Sequence, residues 1–169
     1  MARYFLLIGW ALLVATGCDT GDRLAKLEKQ NQELLAEVKK GQATADYDLQ
    51  AKCSKDARAW FNENYARDKD TILLDFSNHY NKKENKCFIF VENHYNNIFA
   101  APGGNAWTNQ MSVWDVYENT RYGDFAENHY TVFKPTISSS DEIIICEMLR
   151  AKCKTIDEFN NFTRPYMND

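Results

Sequence analysis

The three histidines of the chain all lie in copies of one tripeptide. Asn-His-Tyr occurs at residues 78–80, 93–95 and 128–130, and Glu92 and Glu127 precede the last two copies. Three imidazoles gathered on one sheet, with a carboxylate, could bind a transition metal. The alternative is structural, because Tyr packs well on strands and Asn leads readily into turns. We favour the structural interpretation, so no metal site is predicted beyond the weak candidates His79, His94 and His129.

The sequence contains no familiar catalytic pattern. There is no G-x-S-x-G, no H-E-x-x-H and no phosphate-binding loop. Cys87 beside His79 or His94 is a conceivable nucleophile and base, but we predict no catalytic residue and no cofactor. The chain has 20 Lys and Arg against 24 Asp and Glu. That mildly acidic balance argues against nucleic acid as a partner.

The elements that hold these residues follow an export signal at residues 1–17. Arg3 gives a short positive start, and an uncharged apolar run extends from Phe5 to Ala15. That run is shorter than the roughly 20 residues needed to span a bilayer. Small residues then precede Cys18. This order is typical of a cleaved secretory signal, and an uncleaved anchor helix is the alternative.

Residues 13–18, Leu-Val-Ala-Thr-Gly-Cys, resemble the lipobox of bacterial lipoprotein precursors. The match departs at Ala15, where Leu is commonest. The resemblance implies cleavage after Gly17, a diacylglycerol on the Cys18 sulfur and acylation of the new amino group. Two or three acyl chains anchor a protein stably, whereas one binds marginally. The expected location is the bacterial cell envelope, with the domain exported and the lipid in the inner or the outer membrane.

A short helical stalk is predicted within residues 18–46. Apolar residues and one Asn recur there at steps of three and four, at Leu24, Leu27, Asn31, Leu34 and Val38. That is an a/d heptad pattern, in which an Asn at an a position fixes register and strand number at a cost in stability. The stalk is interpreted either as a parallel homodimer or homotrimer, or as a solvated spacer. The pattern is expected to end at residues 41–46.

Residues 47–169 are predicted to form one globular α+β domain. Its opening helix has one apolar face, formed by Leu49, Cys53, Ala57, Trp60, Phe61 and Tyr65. Strands are expected at 71–80, 87–91, 111–118, 122–133 and 142–149, with loops at 101–105 and 135–141. A closing helix over 157–167 has Thr155 as N-cap and Glu158 as its capping-box partner, and Pro165 is expected to stop it early. The fold class is an N-terminal helix, an antiparallel sheet of about four to five strands built from hairpins, and a C-terminal helix.

Four cysteines remain once Cys18 is set aside as the lipid site. An even number in an exported domain favours disulfides, although four cysteines allow three connectivities. The preferred pairs are Cys53 with Cys87 and Cys146 with Cys153. A free buried thiol at Cys146 is the alternative, and a Cys₄ zinc site is disfavoured because no C-x₂-C pair exists.

Two classes of function follow from these features. The first is a membrane-anchored envelope lipoprotein that binds a protein or glycan through an aromatic, Asn-rich surface, or has a structural role. The second is a histidine-dependent metal-binding protein or hydrolase of the envelope.

Overall fold

The computed structural model describes residues 17–96, 104–132 and 138–168, with side chains from residue 21 onward. The elements in chain order are α1 (Gly17–Asn64), β1 (Thr71–Asn81), β2 (Lys86–Asn96), β3 (Gly104–Asp115), β4 (Thr120–Val132), β5 (Ser138–Met148), β6 (Ala151–Lys152) and α2 (Ile156–Met167). Contacts divide the chain into two compact units, one ending at Asp46 and the other formed by Tyr47–Asp169. No helix in the described part is both long and apolar enough to cross a membrane.

The second unit is an α+β fold around one antiparallel sheet. The strand order is β1-β2-β3-β4-β5-β6, so every strand pairs with its neighbours in sequence. This confirms the predicted fold class, with six strands rather than four or five. The short hairpin turns contain Asn85 and Asn119 at positive φ, a conformation that Asn tolerates better than most residues.

The C-terminal part of α1 packs on one face of the sheet. Cys53, Ala57 and Trp60 are buried at helical spacing against Leu74, Tyr80, Cys87, Ile89 and Val91. Leu49, expected on the same apolar face, is 39% exposed and is not part of this core. Polar groups fix the contact as well, since Asn78 Nδ2 donates to Ser54 Oγ at 2.9 Å.

The helix α2 packs on the opposite face of the sheet. Phe159 is fully buried and its ring centroid lies 5.6 Å from that of Phe125. Tyr166 meets Phe88 edge-on at 5.3 Å. A β-carbon on Gly123 would overlap Met148 Sδ and lie 3.3 Å from the Glu147 carbonyl oxygen, so a larger residue here would require Met148 to shift. The sheet is thus covered by a helix on each face.

Both ends of α2 differ slightly from the prediction. Thr155 Oγ1 accepts from the Glu158 backbone N–H at 3.1 Å, as expected of the N-cap. The Glu158 carboxylate accepts from the Lys154 N–H at 2.7 Å, one residue before the position in a standard capping box. Pro165 does not stop the helix early, since α2 continues to Met167. The Pro165 carbonyl accepts from Asn81 Nδ2 at 2.7 Å, which ties this end to β1.

Several predicted boundaries are wrong. The helix is not interrupted at residues 41–46, where the heptad pattern was predicted to end, because α1 runs through them. A single glycine costs a helix only about 1 kcal/mol, and Thr44 Oγ1 donates to the Lys40 carbonyl within the helix. Ser138–Asp141, expected in a loop, forms the start of β5. Residues 92–96 and 104–110 extend β2 and β3 beyond the predicted strands, because their polar side chains hide the strand signal.

Two disulfides join the preferred cysteine pairs. Cys53–Cys87 links α1 to β2, with the Cα atoms 5.4 Å apart. Cys146–Cys153 links β5 to the segment before α2, with a Cα separation of 5.0 Å. Cys146 is therefore not a free thiol, and Cys87 is not available as a nucleophile beside a histidine.

Candidate functional site

Two of the three Asn-His-Tyr copies lie on β2 and β4, on either side of β3. His94 pairs with Asn109 of β3, and His129 pairs with Trp107, two residues earlier on the same strand. Side chains two residues apart on a strand point to the same face. His94, Trp107 and His129 therefore share one face of the sheet, and we call these three residues the ring cluster.

The ring cluster is an ordered stack centred on Trp107. The Trp107 and His129 ring centroids are 3.8 Å apart with 15° between the ring planes. His94 lies on the diagonal, with its centroid 5.7 Å from Trp107 and its ring tilted by 35°. All three side chains are half-buried. The cluster is thus a fixed row of rings across three strands.

Three carboxylates surround the imidazoles. Glu92 and Glu127 each lie two residues before a histidine on the same strand, and Asp141 lies opposite His129 on β5. Glu92 Oε1 is 2.9 Å from His94 Nε2, and Glu127 Oε2 is 3.2 Å from His129 Nε2. Asp141 Oδ1 contacts His129 Nδ1 at 2.7 Å. His129 is consequently held between two carboxylates.

The cluster keeps buried hydrogen-bonding capacity that the chain does not use. Nε2 of His94 and of His129 is buried and lies within ion-pair distance of a carboxylate, and neither atom makes a hydrogen bond in the described chain. The Oδ1 atom of Asn109, which pairs with His94 on the same face, is likewise buried without a hydrogen bond in the described chain. An unsatisfied buried polar group costs about 1–3 kcal/mol. A bound polar molecule could recover that cost by supplying the missing donors and acceptors.

A row of hydrogen-bonded polar side chains lies on the other face of the same strands. Thr108 Oγ1 donates to Asn128 Oδ1 at 2.7 Å, and Asn128 Nδ2 donates to Tyr130 Oη at 2.8 Å. Thr108 and Asn128 are buried. The Asn and Tyr of this copy therefore orient the strand that carries His129, which agrees with the structural interpretation of these residue types.

His79 does not join the other two histidines. It pairs with Phe88, six residues from His94 along β2, and a strand advances about 3.3 Å per residue, which separates them by roughly 20 Å. Within the described ranges no group of three His, Cys, Asp or Glu side chains is arranged to hold a metal ion. The three imidazoles do not gather as a transition-metal site would require.

Two participants were missed from the sequence, Trp107 and Asp141. Neither belongs to a tripeptide copy, and only the register of β3 and β5 brings them to His129. One signal was available, because Phe90 and Phe125 precede the two Glu-Asn-His-Tyr segments at equal distance. The longer match sets the second and third copies apart from the first.

Comparison with known proteins finds no matching family model, no matching curated protein and no matching solved structure.

Proposed function

We propose that this protein is a lipid-anchored binding module of a bacterial cell envelope. The lipobox-like segment ending at Cys18 supports the anchor, and the helical first unit supports the stalk. The observation that carries the binding role is the ring cluster, where the buried Nε2 atoms of both histidines and Oδ1 of the neighbouring Asn109 make no hydrogen bond in the described chain. The residues around it fit binding better than catalysis, because Cys87 is in a disulfide and His79 lies apart from the other two histidines.

The stalk is proposed to join copies of the chain. Within the first unit, the predicted coiled-coil positions form an exposed apolar row: Leu24, Leu27, Leu34 and Val38 are 57–63% exposed. A helix with such a row is stabilised when partner helices cover it. Tethering by a lipid concentrates copies on one surface, which favours their association.

The ligand of the ring cluster is proposed to be a polar group of an envelope protein or glycan. The cluster offers imidazole and amide groups for hydrogen bonds, and Glu92 and Asp141 add negative charge at its exposed border. Aromatic and polar groups combined in this way are typical of binding surfaces that fix the orientation of a ligand.

The test compares two histidine variants from the same tripeptide. His129→Ala removes a ring-cluster member, whereas His79→Ala removes a histidine roughly 20 Å away. Chemical crosslinking in intact envelopes should give a protein adduct, or the purified chain should be retained on envelope glycan. The His129→Ala variant should fail in the assay that detects binding, and the His79→Ala variant should behave as the wild type does. Thermal unfolding of both variants controls for misfolding. Equal binding by the wild type and both variants would reject the ring cluster as the binding surface.

A further inference from the structure

The outer edge of β5 is a sheet edge without a partner strand in the described chain. β5 pairs with β4 over residues 138–148. On its other side, β6 pairs only with Glu147 and Met148, and the Cys153 N–H donates to the Cys146 carbonyl at 3.0 Å. Residues 138–145 therefore direct alternate backbone N–H and C=O groups away from the sheet. Such a row of groups is a template for another strand.

At the opposite edge of the sheet, side chains form hydrogen bonds with the outward backbone groups of β1. On β1, the Leu74 carbonyl accepts from Arg67 Nη2 at 2.7 Å, and the Tyr80 N–H donates to Gln50 Oε1 at 2.8 Å. Side chains thus occupy outward backbone groups of that strand. Residues 138–145 contain no Lys and no Pro, two residue types that commonly protect a sheet edge.

Side chains along β5 indicate what kind of strand would pair with it. Residues 138–144 are all exposed, and Ile144 is 58% exposed. Asp141, Glu142 and Glu147 give β5 negative charge, with no basic residue on the strand. The strand is polar and acidic in its first half and apolar from Ile143 onward. Complementary side chains would be cationic opposite the first half and β-branched or apolar opposite the second.

A second copy of this chain does not fit that pattern. Antiparallel pairing of residues 138–145 with the same residues of a second copy sets the serines of residues 138–140 against the isoleucines of residues 143–145 and Asp141 against Glu142. Parallel pairing in register sets carboxylate against carboxylate, and like charges directly opposite each other are destabilising. The charge pattern favours a different chain.

We propose that the β5 edge binds an extended, cationic segment of another protein by β-strand addition. Main-chain hydrogen bonds hold the added strand, and Asp141 and Glu142 select its charge. The Cys146–Cys153 disulfide and β6 close the edge after Ile145, so the added strand covers residues 138–145. This proposal does not depend on the lipid anchor, and it assigns a different surface from the ring cluster, although Asp141 borders both.

The probe is a synthetic peptide of alternating valine and lysine, acetylated and amidated at its ends. About nine residues are long enough to cover the edge. The protein is the mature chain from residue 18 with Cys18→Ser, which carries no lipid. Calorimetry should detect binding, and amide hydrogen exchange should slow at residues 138–145 and stay unchanged at residues 71–81.

The control is the same peptide with N-methyl groups on the alternate amides that face the edge. Its affinity should be lower by about tenfold or more, because several main-chain hydrogen bonds are lost.

Two isoleucine variants provide a matched pair. Ile144→Lys adds a positive charge to the β5 edge, and Ile72→Lys adds the same charge on β1, where the isoleucine is 52% exposed. Ile144→Lys should weaken peptide binding about tenfold or more, since an edge lysine blocks strand addition and repels a cationic strand. Ile72→Lys should bind as the wild type does, and both variants should unfold near the wild-type temperature.

Several outcomes would overturn the proposal. These are no binding of the valine–lysine peptide, equal binding of its N-methylated form, protection outside residues 138–145, or equal loss in both isoleucine variants. Concentration-dependent self-association that Ile144→Lys abolishes would also overturn it, in favour of a second copy as the occupant. None of these results bears on membrane anchoring, so failure here is distinguishable from failure of the proposed function.

Discussion

Lys86 neutralises a carboxylate that has almost no access to water. Its Nζ lies 2.7 Å from Asp115 Oδ2, whose side chain is 1% exposed, and 2.5 Å from Glu118 Oε2. Asp115 Oδ1 also accepts the Tyr117 N–H at 3.0 Å, which shapes the turn after β3. The hydrogen bond that Lys86 donates to Asp115, and second the one it donates to Glu118, raise the pKa of Lys86 well above its usual value. The pair therefore holds the turn between β3 and β4 against β2.

Lys86→Met should destabilise the fold by about 3–5 kcal/mol, because it leaves the Asp115 charge buried and unpaired. Lys69→Met is the control, since Lys69 is 87% exposed and 3.8 Å from Asp70, and exposed pairs contribute about 0–1 kcal/mol. Urea unfolding with the disulfides intact measures both. Similar small losses in the two variants would contradict the assignment.

The pH dependence of the same variant has a defined sign. Lys86 has a raised pKa in the folded state, so its stabilisation is complete below the unfolded value of 10.5 and is lost as the pH rises above it. The stability difference between wild type and Lys86→Met should therefore be constant near neutral pH and shrink in the alkaline range.

At the scale of residues, contacts between sequence neighbours were predictable, and contacts between side chains on different strands were not. The preference for Cys146 with Cys153 and the capping role of Thr155 depend on sequence neighbours, and the structure contains both. Trp107 and Asp141 reach His129 only through strand register. The register between β4 and β5 shifts between Ala126 and Glu127, and no local sequence pattern predicts this shift.

The proposed stalk is the element whose self-association is most directly testable. Asn31 lies among exposed apolar positions, and an Asn at an a position restricts the number and register of helices. Asn31→Leu should change the number of chains in the oligomer formed by the mature Cys18→Ser chain, or strengthen their association. The unfolding temperature of the second unit should stay the same. Sedimentation equilibrium measures this. If the chain is monomeric at high concentration with and without the substitution, the stalk is only a spacer.

Polar strands were the elements that the sequence concealed. Residues 104–110 of β3 include Asn105, Thr108, Asn109 and Gln110, which do not alternate in hydrophobicity. They are strands because β2 and β4 flank them with full pairing. Ser138–Asp141 of β5 was hidden by its serines in the same way. Both segments carry the surfaces proposed to bind partners, where polar residues are expected for function rather than for burial.

At the scale of the whole molecule, the proposed lipid anchor is the feature that would place the domain at a membrane. Cys18→Ser should block lipidation and leave the protein in the aqueous phase of a detergent partition, because the acyl chains supply the membrane affinity. The wild type should enter the detergent phase. A variant that still partitions into detergent would show that another segment holds the protein at the membrane.

The overall class was predictable because the second unit has few leucines and many aromatic residues, and because hairpin signals recur along it. Strand order was not predictable beyond the pairing of neighbours. Two-sided burial was visible in β2, where Cys87, Phe88 and Ile89 are consecutive and all fully buried. The helix that covers each face follows from that burial.

The strictly sequential strand order also has a consequence for how the chain reaches its fold. Each strand pairs with the strand that precedes it in sequence, so each pairing closes only a short loop at a small entropic cost. Strands can therefore be added to the sheet one after another, from β1 to β6, as the polypeptide emerges. The disulfide loops span sequence separations of only 34 and 7 residues. The exception is α2, which returns from the end of the chain to bond Asn81 across 84 residues. Docking of this last helix is thus the step that converts a growing sheet into a finished domain.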